Sequence, residues 1–243
     1  MRCNNMTLGN ILIFGVGTKQ NIDTIVAHEN TWASHPSSSV VWYTDALYPK
    51  YIRCSHFLQA DDNVIRRRIH VIMHVMKWYF GLFKWYTSIE YDNYIYLHSL
   101  HYALGKHSEF DNIAIGRVHN FIGRDFINGG SGTIYSTTAF QLLAHSIQKG
   151  KCPSLIYKML KQHDMGKKYD VVISFCSSIV VRTRLVSLCG FRNVLPTQND
   201  ILSCTYSSHS TTEKCQSISF NMVKTPQQVN HIHTMSLQPC LLT

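Results

Sequence analysis

With 243 residues, of which 45% are hydrophobic and 15% charged, the chain is predicted to fold and can bury the core of one large domain or two small ones. Its longest apolar runs are far shorter than the roughly 20 residues of a membrane-spanning helix, so neither a membrane span nor a signal peptide is predicted. The net charge of +9 suits an acidic partner, but apart from Arg66–Arg68 the basic residues are scattered, and nucleic-acid binding is not predicted.

Eight cysteines occur without a Cys-x-x-Cys pair, which disfavours a zinc ribbon or a redox motif. Five of them fall between Cys176 and Cys240, a density compatible with disulfides in an oxidising compartment. Buried free thiols would give the same pattern, so both interpretations stay open. The glycosylation triplet Asn5-Met6-Thr7 fits a secreted context, although such triplets often arise by chance.

The first elements predict a parallel α/β sheet. ILIFGV at 11–16 is a compact apolar run typical of a buried strand, a helix is predicted over about 21–32, and SVVWYTD at 39–45 suits a second strand. The turn GVGTKQN at 15–21 could cradle a phosphate. Its glycine spacing fits neither a dinucleotide fingerprint nor a P-loop, so a turn that merely ends the strand is the preferred interpretation.

Apolar residues recur at helical spacing over about 62–79, with Asp61 or Asp62 as the predicted N-cap. His70 and His74 in this helix are four residues apart, as two metal ligands on one helical face would be. The stretch HVIMH lacks the glutamate of the HExxH zinc motif, so ordinary helix histidines are predicted.

The rest of the chain continues the alternation of strands and helices. The predicted elements are a strand at 85–89, a helix at 94–104, strands at 113–119 and 129–136, the second entered through a glycine turn, and helices at 138–148, 154–162 and from Asp170 onward. After about Asn193 the periodicity fades. We therefore predict a domain over residues 1–195 and an irregular extension over 196–243.

Glu90 and Asp92 are the acidic residues that most suggest chemistry. The strand KWYTSI delivers both to its carboxyl end, where ligands bind in open α/β sheets, and Asp92 or Asn93 could cap the following helix. Carboxylates placed there suit a hard divalent ion that keeps its waters and bridges a diphosphate. A polar turn before a helix would give the same pattern, so these residues alone do not distinguish a metal site from a turn.

Several motifs follow one another in a fixed order. They are AHENTW ending at Trp32, VVWYTD ending at Asp45, Trp85-Tyr86 leading after three residues into Glu90-Tyr91-Asp92-Asn93-Tyr94-Ile95, Gly129-Gly130-Ser131-Gly132, and Tyr169-Asp170-Val171-Val172-Ile173-Ser174. Together they resemble the catalytic core of the fringe-like β-1,3-glycosyltransferases, a family that includes fringe and the core 1 galactosyltransferase. The resemblance covers about residues 10–195.

The resemblance implies a GT-A glycosyltransferase fold, a Rossmann-like mixed sheet flanked by helices. It also implies a UDP-sugar donor, manganese or another divalent cation, and a glycan acceptor. Asp170 matches the general base, and Asp92 matches the metal-binding acid, with Glu90 beside it as a further metal ligand. The residues that the resemblance assigns to donor binding are Asp45, Glu90, Tyr91, Gly129, Gly130 and Gly132.

The chain departs from the family pattern within these motifs. Glu90 replaces the first aspartate of the acidic motif, Tyr91 replaces a carboxylate, and Tyr169 replaces the acid before the proposed base. Ser174 stands where glycine is usual. The metal-binding histidine of fringe relatives has no secure counterpart: an ungapped comparison places Phe191-Arg192 there, whereas a gapped one offers His209.

Two functions of different classes are compatible with these motifs. The first is an inverting β-1,3-glycosyltransferase of the secretory pathway, with residence in the Golgi implied by the family, whose members usually carry an N-terminal membrane anchor. The second, favoured by the weakened acidic motifs, is a catalytically silent relative that binds client proteins or glycans in a chaperone-like role. A nonfunctional gene product stays a third possibility. One sequence does not identify the donor sugar or the acceptor.

Overall fold

Two β-sheets are present in the described part of the chain, which comprises residues 2–3, 9–35, 39–46, 52–59, 63–163, 169–188, 190–192 and 219–237 of a computed structural model. The strands are β1 (Arg2–Cys3), β2 (Ile11–Val16), β3 (Ser39–Thr44), β4 (Cys54–Phe57), β5 (Trp85–Glu90), β6 (Tyr94–Ile95), β7 (Ile113–Phe121), β8 (Arg124–Ser136), β9 (Arg184–Ser187), β10 (Phe191–Arg192) and β11 (Ser219–Phe220).

The main sheet has eight strands in the order β1-β4-β3-β2-β5-β8-β7-β9. Strands β4, β3, β2 and β5 run parallel to one another, whereas β8 runs antiparallel to both β5 and β7. The outer strand β9 is parallel to β7, and β1 is antiparallel to β4. A smaller sheet has the order β10-β11-β6. The predicted α/β class with a mixed sheet is therefore confirmed.

Helices cover both faces of the main sheet. They are α1 (Ile22–Glu29), α2 (Val64–Tyr79), α3 (Leu97–Leu104), α4 (Thr137–Gln148), α5 (Lys151–His163), α6 (Tyr169–Phe175, continued by a π-helical turn over Cys176–Val180) and α7 (Pro226–Leu237). One core contains side chains of α2, α4, α5 and α6, and the other contains side chains of α1, α3 and α7. None of the helices among the described residues is long and apolar enough to span a membrane.

Strand β2 contributes side chains to both cores. Its side chains alternate: Leu12 and Phe14 enter the first core, while Ile11 and Ile13 enter the second. Gly15 follows the same alternation without a side chain, because a Cβ atom there would lie 2.2 Å from the indole of Trp42. The continuous apolar run is thus explained by a strand that is buried on both sides.

Several predicted boundaries differ from the structure. Helix α2 is capped by the side chain of Asn63, which accepts a hydrogen bond from the Arg66 amide at 2.9 Å, so the predicted cap at Asp61 or Asp62 is wrong. Helix α3 begins at Leu97 rather than at 94, because Tyr94 and Ile95 pair with β11 as a short strand. Gly129 to Gly132 lie within β8 and are not a turn that precedes it.

Two further features bear on the sequence predictions. Cys152 and Cys176 form a disulfide, which joins α5 to the turn after α6 and decides between the two interpretations for this pair. The extension after residue 195 is not irregular throughout, since β11 and α7 belong to it and the buried Val229 and Ile232 of α7 join the second core. The triplet at Asn5 lies outside the described residues.

Candidate active site

The carboxyl ends of the parallel strands meet beside a change in strand order. From β2 the chain proceeds to β3 on one side, whereas β5 flanks β2 on the other, and such switch points form ligand crevices in open α/β sheets. Gly17 after β2 lies against the residues after β5, because a Cβ atom at Gly17 would be 3.1 Å from the Cβ of Tyr91. Glu90, Tyr91 and Asp92, hereafter the acidic corner, therefore lie beside this crevice.

Backbone and side-chain hydrogen bonds hold the acidic corner. The Tyr91 amide donates to the Val16 carbonyl at 2.9 Å, and the Glu90 amide donates to the side-chain oxygen of Asn93 at 2.8 Å. The Asn93 side-chain amide donates in turn to the Gly130 carbonyl at 2.8 Å. Neither Asp92 nor Asn93 caps a helix as predicted. Asn93 instead links the corner to β8.

Arg68 is a site residue that the sequence interpretation missed. This arginine of α2 is buried, and its guanidinium forms an ion pair with the Glu90 carboxylate. It also donates to the Ser88 hydroxyl at 2.8 Å and to the Ile89 carbonyl at 3.3 Å. The signal was present in the Arg66–Arg68 run, because only Arg68 of the three falls on the buried face of the helix.

Asp92 is half-buried, and its carboxyl group ionises at a higher pH than an exposed aspartate does. Burial, followed by the negative charge of Glu90, raises the pKa of Asp92 to about 6, while a backbone hydrogen bond and the charge of Lys224 oppose the shift. Burial, followed by the charges of Asp92 and Glu90, raises the pKa of the Tyr91 hydroxyl, while the Asn21 side chain opposes the shift.

Gly129 to Gly132, hereafter the glycine segment, bulge out of the ladder between β7 and β8. The register passes from Gly116 opposite Thr133 to Arg117 opposite Asn128, so these four residues form an insertion. Gly132 has a φ of +93°, which side chains rarely tolerate. At Gly130 a Cβ atom would lie 2.7 Å from the side-chain nitrogen of Asn221. Backbone conformation thus favours glycine at 132, and Gly130 lies in close contact with neighbouring side chains.

Asp170, in the first turn of α6, meets the glycine segment. Its carboxylate accepts a hydrogen bond from the Gly129 amide at 3.3 Å. Asp170 also lines a small open cleft together with Arg68, Ser88 and Gly129, and the other lining residues are Ile72, Thr133, Tyr135 and Ile173. One turn later, Ser174 accepts a hydrogen bond from the Ile127 amide at 2.7 Å. The serine at the usual glycine position therefore supports β8.

Asp45 lies on the other side of β2 from the acidic corner. It follows β3, so two inter-strand spacings, about 10 Å, separate the ends of β3 and β5. Its carboxylate accepts a hydrogen bond from the Lys19 amide in the turn after β2. Asn21 closes the same turn by accepting from the Thr18 amide at 3.1 Å. The structure therefore joins Asp45 to this turn rather than to Asp170.

The segment Ser219–Lys224 forms a further wall of the site, which the sequence interpretation also missed. The Ser219 hydroxyl donates to the Ser131 carbonyl, and the Val223 amide donates to the Asp92 carbonyl at 3.0 Å. The exposed Lys224 follows directly, and its charge acts on Asp92. No periodicity marks this segment in the sequence, which explains why it was assigned to an irregular extension.

The described residues partly fit the divalent ion that the resemblance implies. Within them, no three histidine, cysteine or acidic side chains come together, and Glu90 is paired with Arg68. His209 lies outside the described residues, so its assignment as a ligand stays a prediction. A hard cation that arrives with a diphosphate needs only one or two protein carboxylates. Asp92 could hold such an ion, and the phosphates of the substrate would supply further ligands.

Comparison with known proteins identifies the fold. No family model matches the chain, and no curated protein matches it by sequence. A glycosyltransferase involved in the glycosylation of the major capsid of PBCV-1 is similar to it with a TM-score of 0.51 and 12% identity, over 92% of this chain and 98% of its own. The galactosyltransferase LgtC, in complex with donor and acceptor sugar analogs, is similar with a TM-score of 0.50 and 10% identity, over 93% of this chain and 95% of its own.

These likenesses confirm the predicted fold class: the chain has the mixed α/β architecture of the GT-A glycosyltransferases. Identities of 12% and 10% are informative about the fold alone. Membership of the fringe-like family stays a prediction, as do the roles of the individual site residues.

Proposed function

We propose that the chain is a glycosyltransferase that moves a sugar from a UDP-sugar to a hydroxyl group of a glycan acceptor. One observation carries the proposal: Asp170 and Asn93, which directly follows the acidic corner, both contact the glycine segment, at the ligand-binding edge of a GT-A sheet. Gly129 bonds Asp170 at 3.3 Å, and Gly130 bonds Asn93, the residue after the corner, at 2.8 Å. A donor that lies along the glycine segment would have an acid on either side.

In this proposal Asp170 is the general base. Its carboxylate takes the proton of the acceptor hydroxyl while that oxygen attacks the anomeric carbon. The bond from the anomeric carbon to the diphosphate breaks on the opposite face, and UDP leaves with the electron pair, so the anomeric configuration inverts. Lys224 would hold the diphosphate, and a divalent ion held by Asp92 would neutralise the charge that develops on it.

The finer features of the proposal are supported by the resemblance rather than by geometry. They are the UDP-sugar donor, the inverting course of the reaction, the β-1,3 linkage, manganese as the cation, an acceptor on glycoprotein or glycolipid, and residence in the secretory pathway, in the Golgi. The order of motifs from AHENTW to the Asp170 helix supports them. Expression of the tagged chain in animal cells, with its location compared with Golgi and cytosolic markers, tests the compartment.

Asp170→Asn and Asp92→Ala test the mechanism, with the exposed Asp23→Asn as the matched control. Transfer from a panel of UDP-sugars in the presence of manganese is measured. Loss of a general base is expected to lower the rate of Asp170→Asn by about 10²- to 10⁴-fold while UDP affinity is retained. Asp92→Ala is expected to lose the metal-stimulated part of UDP binding. Full activity in both variants would exclude these roles, and NMR of the first-formed product reports inversion or retention.

A silent relative that binds clients or glycans is the second candidate. The ion pair between the buried Arg68 and the half-buried Glu90 favours it, because an acid held by an internal arginine is less available to a ligand. Calorimetry with UDP and manganese separates the candidates. The enzyme must bind UDP more tightly when the metal is present, whereas a silent binder shows little such dependence and no turnover.

A further inference from the structure

His28, in the last turn of α1, contacts the backbone of the acidic corner. Its imidazole is fully buried, and its Nε2 atom lies 2.9 Å from the Tyr91 carbonyl oxygen. On the other side, the indole N–H of Trp32 donates to Nδ1 at 2.8 Å. Both residues belong to the AHENTW motif, to which the proposed chemistry assigns no role.

These contacts define the protonation of the ring. An indole N–H can only donate, so Nδ1 of His28 must accept, and the proton of the neutral ring is therefore on Nε2. From there it is donated to the Tyr91 carbonyl. Burial lowers the pKa of His28 to about 4, which agrees with a ring that is neutral at neutral pH.

The surroundings leave the ring little freedom to turn. It stacks on Trp42 with an interplanar angle of 14° and a centroid separation of 6.0 Å. The indole N–H of Trp42 donates to Glu29 at 3.0 Å, and Arg53 forms an ion pair with Glu29 at 2.9 Å. The hydrogen-bond donor that faces Tyr91 is therefore held by packing as well as by hydrogen bonds.

The direction of the Tyr91 carbonyl constrains where Asp92 points. This carbonyl belongs to the peptide plane that joins Tyr91 to Asp92, so its orientation fixes the N–Cα bond of Asp92, about which only φ is left to set the Cβ position. The Tyr91 amide is bonded to Val16 at 2.9 Å. With His28 in place, both peptide planes of Tyr91 are held, one by β2 and the other by α1.

We propose that His28 is a positioning residue, which orients the Asp92 carboxylate through the Tyr91 carbonyl and touches neither donor nor acceptor. The inference rests on the proposed function and deepens it. It assigns a role to the AHENTW motif: the end of the helix carries a hydrogen-bond donor that orients the acidic corner. Because a displacement of about 1 Å at a reacting or binding group can lower a rate by about 100-fold, a loss of this one hydrogen bond is expected to be visible in kinetics.

Two neutral amide variants separate positioning from simple support. In His28→Gln the side-chain amide can reach the place of Nε2 and donate to Tyr91, whereas in His28→Asn it reaches only the place of Nδ1. UDP affinity, kcat/KM for the donor and the unfolding temperature are measured for both. We expect kcat/KM within about threefold of wild type for His28→Gln and about 10- to 100-fold lower for His28→Asn. His74→Asn, which alters a half-buried histidine bonded to Tyr43, is the matched control and should keep kcat/KM.

Equal kcat/KM in the Gln and Asn variants overturns the inference, even if both unfold at a lower temperature, because a merely structural histidine would behave in that way. A wild-type chain that neither binds UDP nor transfers sugar overturns the proposed function, and the inference with it. If His28→Asn does not fold, Trp32→Phe replaces it, since this change removes the donor that holds the ring. Unchanged kcat/KM in Trp32→Phe would then overturn the inference.

Discussion

The parallel and antiparallel halves of the main sheet satisfy their backbone groups in different ways. From β4 to β5 the backbone groups bond one another in a regular parallel ladder, and the side chains pack into two apolar cores. In β8 the ladder is interrupted, and side chains replace it: Asp170 and Ser174 accept from the Gly129 and Ile127 amides, and Asn93 donates to the Gly130 carbonyl. The candidate site lies where this replacement occurs, so polar residues there carry both stability and proposed chemistry.

A core truncation in the parallel half should have the largest effect on stability. Trp42 of β3 is 0% exposed, so Trp42→Ala is expected to lower the free energy of unfolding by about 4 kcal/mol through lost burial and a cavity. Trp78→Ala removes an indole that is 50% exposed and should cost far less. Urea denaturation measures both. Equal losses would contradict the expectation that stability in the parallel half comes from its buried apolar core.

Acid should weaken the parallel half next. His56 of β4 contacts Tyr79 at 2.7 Å, and burial, followed by the charge of His74, lowers the pKa of His56 to about 4. The unfolded chain, with an ordinary pKa of 6.5, therefore binds the proton more readily. This contribution is present above pH 6.5 and is lost as the pH falls toward 4, by about 3 kcal/mol in total.

Urea denaturation as a function of pH, with His56→Gln beside wild type, checks this expectation. The variant should be less stable at pH 7 but show a smaller loss between pH 6.5 and pH 4. His70→Gln changes an exposed histidine of α2 and should keep the wild-type profile. An unchanged profile in His56→Gln would mean that acid acts elsewhere in the molecule.

Asn93→Ala removes a side chain that links the parallel half of the sheet to the antiparallel half. The change leaves the Glu90 amide and the Gly130 carbonyl without the Asn93 side chain, and buried polar groups that lose a partner cost about 2 kcal/mol. UDP affinity should fall together with stability, because the same side chain links the acidic corner to the glycine segment. Asn230→Ala, at an exposed position of α7, should leave both quantities unchanged. Denaturation and calorimetry give the two readouts.

Ser174→Ala should have the smallest effect, about 1 kcal/mol, because one buried amide, that of Ile127, loses its acceptor. Ser174 contacts β8 rather than the cleft, so transfer activity at a temperature well below unfolding should stay at the wild-type level. Ser178→Ala, one turn further along, is the control for stability. A loss of activity in Ser174→Ala without a loss of stability would show that this serine belongs to the chemistry.

The regular elements could be predicted because their causes are local. The apolar run 11–16 and the helical spacing over 62–79 correspond to β2 and α2, and the order of the first three elements correctly predicted parallel strands. Cap and boundary predictions failed where tertiary contacts compete with local ones. Asn93 was expected to cap a helix, but its side chain bonds Glu90 and Gly130, and Tyr94 pairs with a strand more than a hundred residues away.

The candidate site was predicted in part for the same reason. Acids that follow a strand or open a helix are visible in a sequence, so Glu90, Asp92 and Asp170 were identified as candidates. In the structure the glycine segment bonds Asp170 and also Asn93, the residue directly after the acidic corner. Arg68 and Lys224 were not identified, because each comes from an element remote in the chain and no short pattern joins it to the corner. His28 was passed over because a buried histidine has no sequence signature of its own.

By itself the sequence determined which segments are strands and helices and which acids end them, since hydrophobic periodicity and turn residues act within a few positions of the chain. Only the tertiary structure decided which groups surround those acids: Glu90 pairs with an arginine of α2, Asp92 is bonded through its backbone carbonyl to Val223 of the late segment, and Asp170 bonds the bulged glycines of β8. The physical reason is that ion pairs and buried hydrogen bonds depend on distances in space, which packing of the two cores sets and sequence separation does not.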